Sequence, residues 1–100
     1  MLRFKVLVIQ RGKAFIAIPN DVKRNVVILG SAKREVLKKS QLAILEEVKE
    51  GRELFVPNYK ASIESIVREK NVKTEDGDKL TLEQVEIEFT YNNVRLGEIQ

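Results

Sequence analysis

The chain has no cysteine, no histidine and no tryptophan, and it holds one methionine and two prolines in 100 residues. Without cysteine there is no disulfide framework and no thiolate metal site. Without histidine the commonest metal ligand and the usual general base near neutral pH are missing. No stretch matches a glycine-rich phosphate loop, a metal-ligand array or a nucleophile motif. Carboxylates and lysines remain, but no set of them stands out as catalytic, so the expectation is a non-enzymatic protein that uses no cofactor and no metal. Long hydrophobic runs are also absent. The apolar stretches near the N-terminus fall short of the roughly 20 residues of a membrane span. Arg3, Lys5, Arg11 and Lys13 interrupt them, and a cytoplasmic chain that avoids membranes is expected.

What is present is organised around Phe4 to Ile18, FKVLVIQRGKAFIAI, two apolar arms joined through Arg11-Gly12. Val, Ile and Phe favour strands, and the glycine permits a turn, so the stretch reads as a β-hairpin. With Arg11 and Gly12 as the loop, Ile9 faces Ala14, Val8 faces Phe15 and Leu7 faces Ile16. Alternation puts Phe4, Val6, Val8, Phe15 and Ala17 on one face and Leu7, Ile9, Ala14, Ile16 and Ile18 on the other. Both faces are apolar. The hairpin is therefore expected to be covered twice, by a helix on one side and by another element or a second subunit on the other. Pro19 lacks an amide donor and marks the end of the second arm.

Val26 to Leu29 reads as a short buried third strand closed by Gly30 and Ser31, which makes a meander. Ser31 as N-cap and Gly51 beyond the C-terminus bracket a helix. Its Val36, Leu37, Ser40, Gln41, Ile44, Leu45 and Val48 share one half of the wheel, while Leu42 points away. Glu53 to Val56 reads as a fourth strand. A second helix is expected to begin at Asn58, with Tyr59, Ile63, Ile66 and Val67 at helical spacing, although SIESIV also suits a strand. Asp76-Gly77 is a turn signal. Beyond it the apolar parity changes from Leu80 and Leu82 to Val85, Ile87 and Phe89, which predicts a bulge or break near Glu83-Gln84. Asn92-Asn93 is a hairpin loop signal that sets Tyr91 against Val94 and Phe89 against Leu96.

The length suits one domain. The predicted architecture is α+β: a three-stranded antiparallel meander, a helix packed on it, a further strand, a short second helix and a C-terminal β-hairpin. Residues 1–57 form a βββαβ core, and residues 58–100 add a helix and an acidic hairpin.

The net charge of +3 conceals an asymmetry, because residues 1–40 hold ten Lys or Arg against two acids while residues 41–100 hold eight against thirteen. Such a split suits an anionic partner for the first half, or basic and acidic patches that meet each other. In a meander the third strand returns toward the first turn, where the helix starts. Arg11, Lys13, Lys33 and Arg34 would then gather at one end beside the helix N-terminus, a physical recipe for binding an anion or nucleic acid. Ordinary solvated charge produces the same pattern. Glu83, Glu86 and Glu88, with apolar residues between them, read as a solvated acidic face rather than a metal site.

The run GKAFIAIP followed by VVILGSAKREVLKKSQLAILEEVKEGRELFVP resembles the HicB-type antitoxin fold over about the first 57 residues. The features that carry it are Gly12, Pro19, Gly30, Ser31, Glu35, Val36, Gly51 and Pro57. The resemblance implies a truncated ribonuclease-H-like sheet without catalytic residues that neutralises a small mRNA-cleaving toxin by protein contact. Many members add a C-terminal ribbon-helix-helix or helix-turn-helix for operator binding. Residues 58–100 depart from that pattern and contain no recognisable DNA-reading helix.

Two functional expectations follow. One is a protein-interaction module, forming a homodimer through its doubly apolar sheet and capturing a basic protein partner through Glu86 and Glu88. The alternative is a nucleic-acid-binding protein that uses Arg11, Lys13, Lys33 and Arg34, with affinity that falls steeply with salt. Phe15, near Lys13, and Tyr59, beside Lys60, place an aromatic next to a cation, too sparse a pattern to give base stacking much support.

Overall fold

The computed structural model describes residues 1–23, 25–49, 57–90 and 93–99. Its strands are β1 (Leu2–Arg11), β2 (Ala14–Pro19), β3 (Ile28–Gly30), β4 (Lys79–Thr90) and β5 (Asn93–Leu96), and its helices are α1 (Lys33–Lys49) and α2 (Ile63–Glu69). The strands form one antiparallel sheet in the order β3-β2-β1-β4-β5. The α+β class, the meander, the helix on the sheet and the terminal hairpin agree with the sequence reading. The expected strand Glu53 to Val56 and the expected cap Gly51 lie outside the described residues.

The sheet is held at its centre by β1, which pairs β2 on one side and β4 on the other. The β1–β4 pairing runs unbroken from Leu2↔Ile87 to Gln10↔Lys79. Residues after 58 therefore share one sheet with the first 57, a long-range pairing that local patterns do not specify.

The β1–β2 register differs from the expected one. Arg11 pairs Ala14, Val8 pairs Ala17 and Leu7 pairs Ile18, so the loop is Gly12-Lys13. Gly12, at φ +60°, takes the first loop position, where a two-residue turn of the II′ kind places glycine. Because the correction moves each pairing by two residues, the face assignments survive. Phe4, Val6, Val8 and Ala17 are buried with Val36 and Ile44 of α1, and Leu7, Ile9 and Ile18 are buried with Ala61 and Ile66 on the α2 side. Each face is covered in part from within the chain.

No bulge interrupts β4. Leu80 and Leu82 pack with the α2 cluster, whereas Val85, Ile87 and Phe89 pack with the α1 cluster. The parity change thus records an unbroken strand whose buried side switches along its length, because the two helices cover opposite faces at different places. In the second hairpin Phe89 pairs Val94 and Thr90 pairs Asn93. Asn93 is therefore strand rather than loop, and residues 91–92 lie outside the described residues.

Helix α1 presents the expected stripe, with Val36, Leu37, Ser40, Gln41 and Ile44 buried and Leu42 left 48% exposed. The buried Ser40 hydroxyl donates to the Val36 carbonyl at 2.7 Å. Ser31 is not the N-cap. The first helical carbonyl belongs to Ala32, which accepts from the Val36 amide, and the Glu35 carboxylate accepts the Ser31 amide at 3.3 Å. At Gly30 the helix comes so close to β3 that a Cβ would lie 2.8 Å from Val36 Cγ1 and from Glu35 Oε2.

Residues 63–69 are helical. The cap of α2 is Ser62 rather than Asn58, because Ser62 and Ser65 form a reciprocal capping box with bonds of 3.1 and 2.8 Å. Asn58 Oδ1 instead accepts the Lys60 amide, and Tyr59 stands outside the helix, exposed. Asn71, at φ 53°, turns the chain away after α2.

Candidate interaction surface

The basic residues singled out in the sequence are distributed over the fold. Arg11 projects on the α2 side and grips Asp78, Nε to Oδ1 at 2.9 Å and Nη2 to Oδ2 at 2.8 Å, with Glu75 at 3.3 Å. The hydrogen bond to Asp78 raises the Arg11 pKa. The guanidinium and the Glu75 amide together lower Asp78 to about 2. Lys33 lies on the other face and pairs Glu83 at 2.7 Å. Lys13, in the first loop, and Arg34, in the first turn of α1, are exposed and have no ion-pair partner among the described residues. Two of the four cations are therefore neutralised, on opposite faces of the sheet.

Glu86 and Glu88 lie on the sheet face opposite α1, both half-buried. Arg3 is the register partner of Glu86 and donates to it at 3.2 Å, and Glu88 is the register partner of Arg95. The acidic row is interleaved with cations. Lys5, next in the same row, donates to the Tyr59 and Ala61 carbonyls at 2.7 and 2.8 Å and so ties the segment before α2 to the sheet.

The exposed apolar surface lies at the opposite edge. Among the described strands β3 lies at one edge of the sheet and is not the buried strand expected: Leu29 is 63% exposed and Val27, just before β3, 62%. Both share the α2 side with the half-buried Ile16, the register partner of Leu29. One device blunts the edge, the Lys39 ammonium, which donates to the Leu29 carbonyl at 3.3 Å. The signal that could have found this surface is topological, because the third strand of a meander is an edge unless a later strand covers it. A second polar feature is Asp21. Its Oδ1 accepts the Asn58 amide at 3.0 Å, its Oδ2 is buried without a partner, and burial raises its pKa.

Among the described residues no group of three or more acidic, histidine or cysteine side chains could hold a metal, and no helix is long and apolar enough to cross a membrane. In comparisons with family models, curated proteins and solved structures, the chain matches none.

Proposed function

We propose that the chain is a non-enzymatic protein-interaction module that docks along its β3 edge, where it also associates with a second copy of itself. The observation that carries this reading is the exposure of Leu29 on the edge strand β3 and of Val27 just before it, among the described residues. An edge strand offers backbone donors and acceptors for strand addition, and neighbouring large aliphatics add burial when a partner arrives. Among the described strands β3 has no neighbour on its outer side, so self-association has that edge to use.

Capture of a basic partner by Glu86 and Glu88, the antitoxin-like part of the reading, requires Glu86 to exchange Arg3 for that partner. Their pair is exposed, at 61% and 39% for the two side chains, and exposed pairs contribute little, so the exchange costs little. The nucleic-acid alternative retains Lys13 and Arg34 as its unpaired members and has correspondingly less support.

Sedimentation equilibrium of the wild type and of Leu29→Lys tests the edge. A concentration-dependent dimer that becomes monomeric in the variant, with an unchanged circular dichroism spectrum, supports the reading. A wild type that stays monomeric at its highest soluble concentration overturns self-association.

A further inference from the structure

A cleft of about 220 Å³ opens on the α2 side of the sheet. Its floor is Ile9, Ile16 and Ile18, one wall is Val26 and Val27 on the approach to β3, and the other is the chain leaving α2, Lys70 to Lys73. The opening exists because α2 is only seven residues long and Asn71 then turns the chain away at φ 53°, so among the described residues no helix lies over the β2 side of this face.

The rim is cationic, with Arg11, Lys70 and Lys73 around an aliphatic floor. Arg11 is balanced by Asp78 and Glu75. Lys70 donates to the Val22 carbonyl and sits close enough to Asp21 to act on its charge. Lys73 is exposed and has no carboxylate partner among the described residues. The carbonyls of Ile66, Val67 and Arg68 at the end of α2 accept the amides of Lys70, Val72 and Asn71, so the negative end of the helix is satisfied within the chain. Of the three rim cations, Lys73 is the one with no carboxylate beside it among the described residues.

We infer that this cleft binds a small amphipathic anion, a linear aliphatic carboxylate whose chain lies on the isoleucine floor and whose head group meets Lys73 and Lys70. The volume lies below the roughly 300–1,000 Å³ of pockets for drug-sized ligands, which favours a medium-length chain over a long acyl group or a nucleotide. The inference is independent of the edge-docking reading, since it needs no second protein.

The test is an amide NMR titration of the full chain with hexanoate and octanoate below their micelle concentrations, with octylammonium and 1-octanol as controls. Octanoate is expected to shift the amides of Ile16, Ile18 and Val72 saturably. Two further methylenes on the floor should make it roughly tenfold tighter than hexanoate. Octylammonium should leave those amides unmoved, and Lys73→Glu, at an exposed position, should weaken octanoate severalfold without altering the rest of the spectrum. The absence of saturable shifts, or shifts confined to another surface, overturns the site. Octanol binding as tightly as octanoate, or unchanged affinity in Lys73→Glu, overturns recognition of the carboxylate.

Discussion

Arg11, the last residue of β1, holds Asp78, which precedes β4, through two parallel hydrogen bonds of 2.9 and 2.8 Å. The Asp78 side chain is 2% exposed, against 34% for Arg11. This fork closes the end of the sheet where β1 and β4 meet, and the Asp78 carboxylate also accepts the Glu75 amide at 2.8 Å, which shapes the turn leading into β4. A cation that the sequence offers as an anion ligand is thus a structural clasp.

Acid stability should report this clasp. Asp78 is lowered from its ordinary 3.8 to about 2 in the folded chain. A carboxylate lowered on folding stabilises above its unfolded pKa, and that contribution disappears as pH falls through the folded value. Thermal unfolding followed from pH 7 down to pH 2 should therefore show Asp78→Asn less stable than wild type near neutrality, with the gap closing between about pH 4 and pH 2. A gap that stays constant over that range would mean the pair contributes nothing through its charge.

Gln41 should be the most costly polar residue of α1 to replace. It is fully buried, and its Nε2 donates to the carbonyls of Glu86 and Gly97, both at 2.8 Å, fastening the helix where β4 and the segment after β5 lie together. Gln41→Leu keeps the bulk and strands the Gly97 carbonyl, while the Glu86 carbonyl keeps the Gly97 amide at 2.9 Å. Urea unfolding should show a loss of about 1–3 kcal/mol, the cost of leaving a buried acceptor unsatisfied.

How far these features can be read from the chain depends on whether their cause is local. The α1 stripe from Val36 to Val48 follows from helical period alone, and the two faces of the first hairpin follow from alternation, which a two-residue register error leaves intact. Arg11 and Asp78 are 67 positions apart, and no local pattern links them. The change from Leu82 to Val85 is visible in the sequence, but its cause, two helices covering opposite faces of one unbroken strand, depends on β4 lying beside β1. The exposure of Leu29 was hidden for a related reason: a short aliphatic run looks the same at an edge as in the middle of a sheet. Of the three glutamates that the sequence groups as one acidic face, Glu86 and Glu88 share a face but Glu83 lies on the other, against Lys33, and the cations interleaved with the pair come from β1 and β5.

Gly30→Ala should destabilise through overpacking. The added methyl would lie 2.8 Å from Val36 Cγ1 and from Glu35 Oε2. The carboxylate can swing aside, but Val36 is fully buried and cannot. A cost of about 1–3 kcal/mol is expected in chemical denaturation. Glu35→Ala in the same background should recover little of it, because the immovable contact is with the valine.

Helix α2 is short, so its survival depends on packing and on its cap more than on propensity. Ile66 is fully buried against the sheet, and Ile66→Ala should cost about 2–5 kcal/mol. Ser62→Ala removes one half of the capping box while leaving that packing in place, for about 0.5–2 kcal/mol. The two losses should also differ in reach. The cap variant should raise amide hydrogen exchange mainly within 63–69, where the helix frays from its first turn. The core variant should raise it in β1 and β4 as well, because Ile66 shares a cluster with Leu7, Leu80 and Leu82. Equal protection patterns in the two variants would show that α2 and the sheet open as one unit, and the covering of this face would then be as stable as the sheet itself.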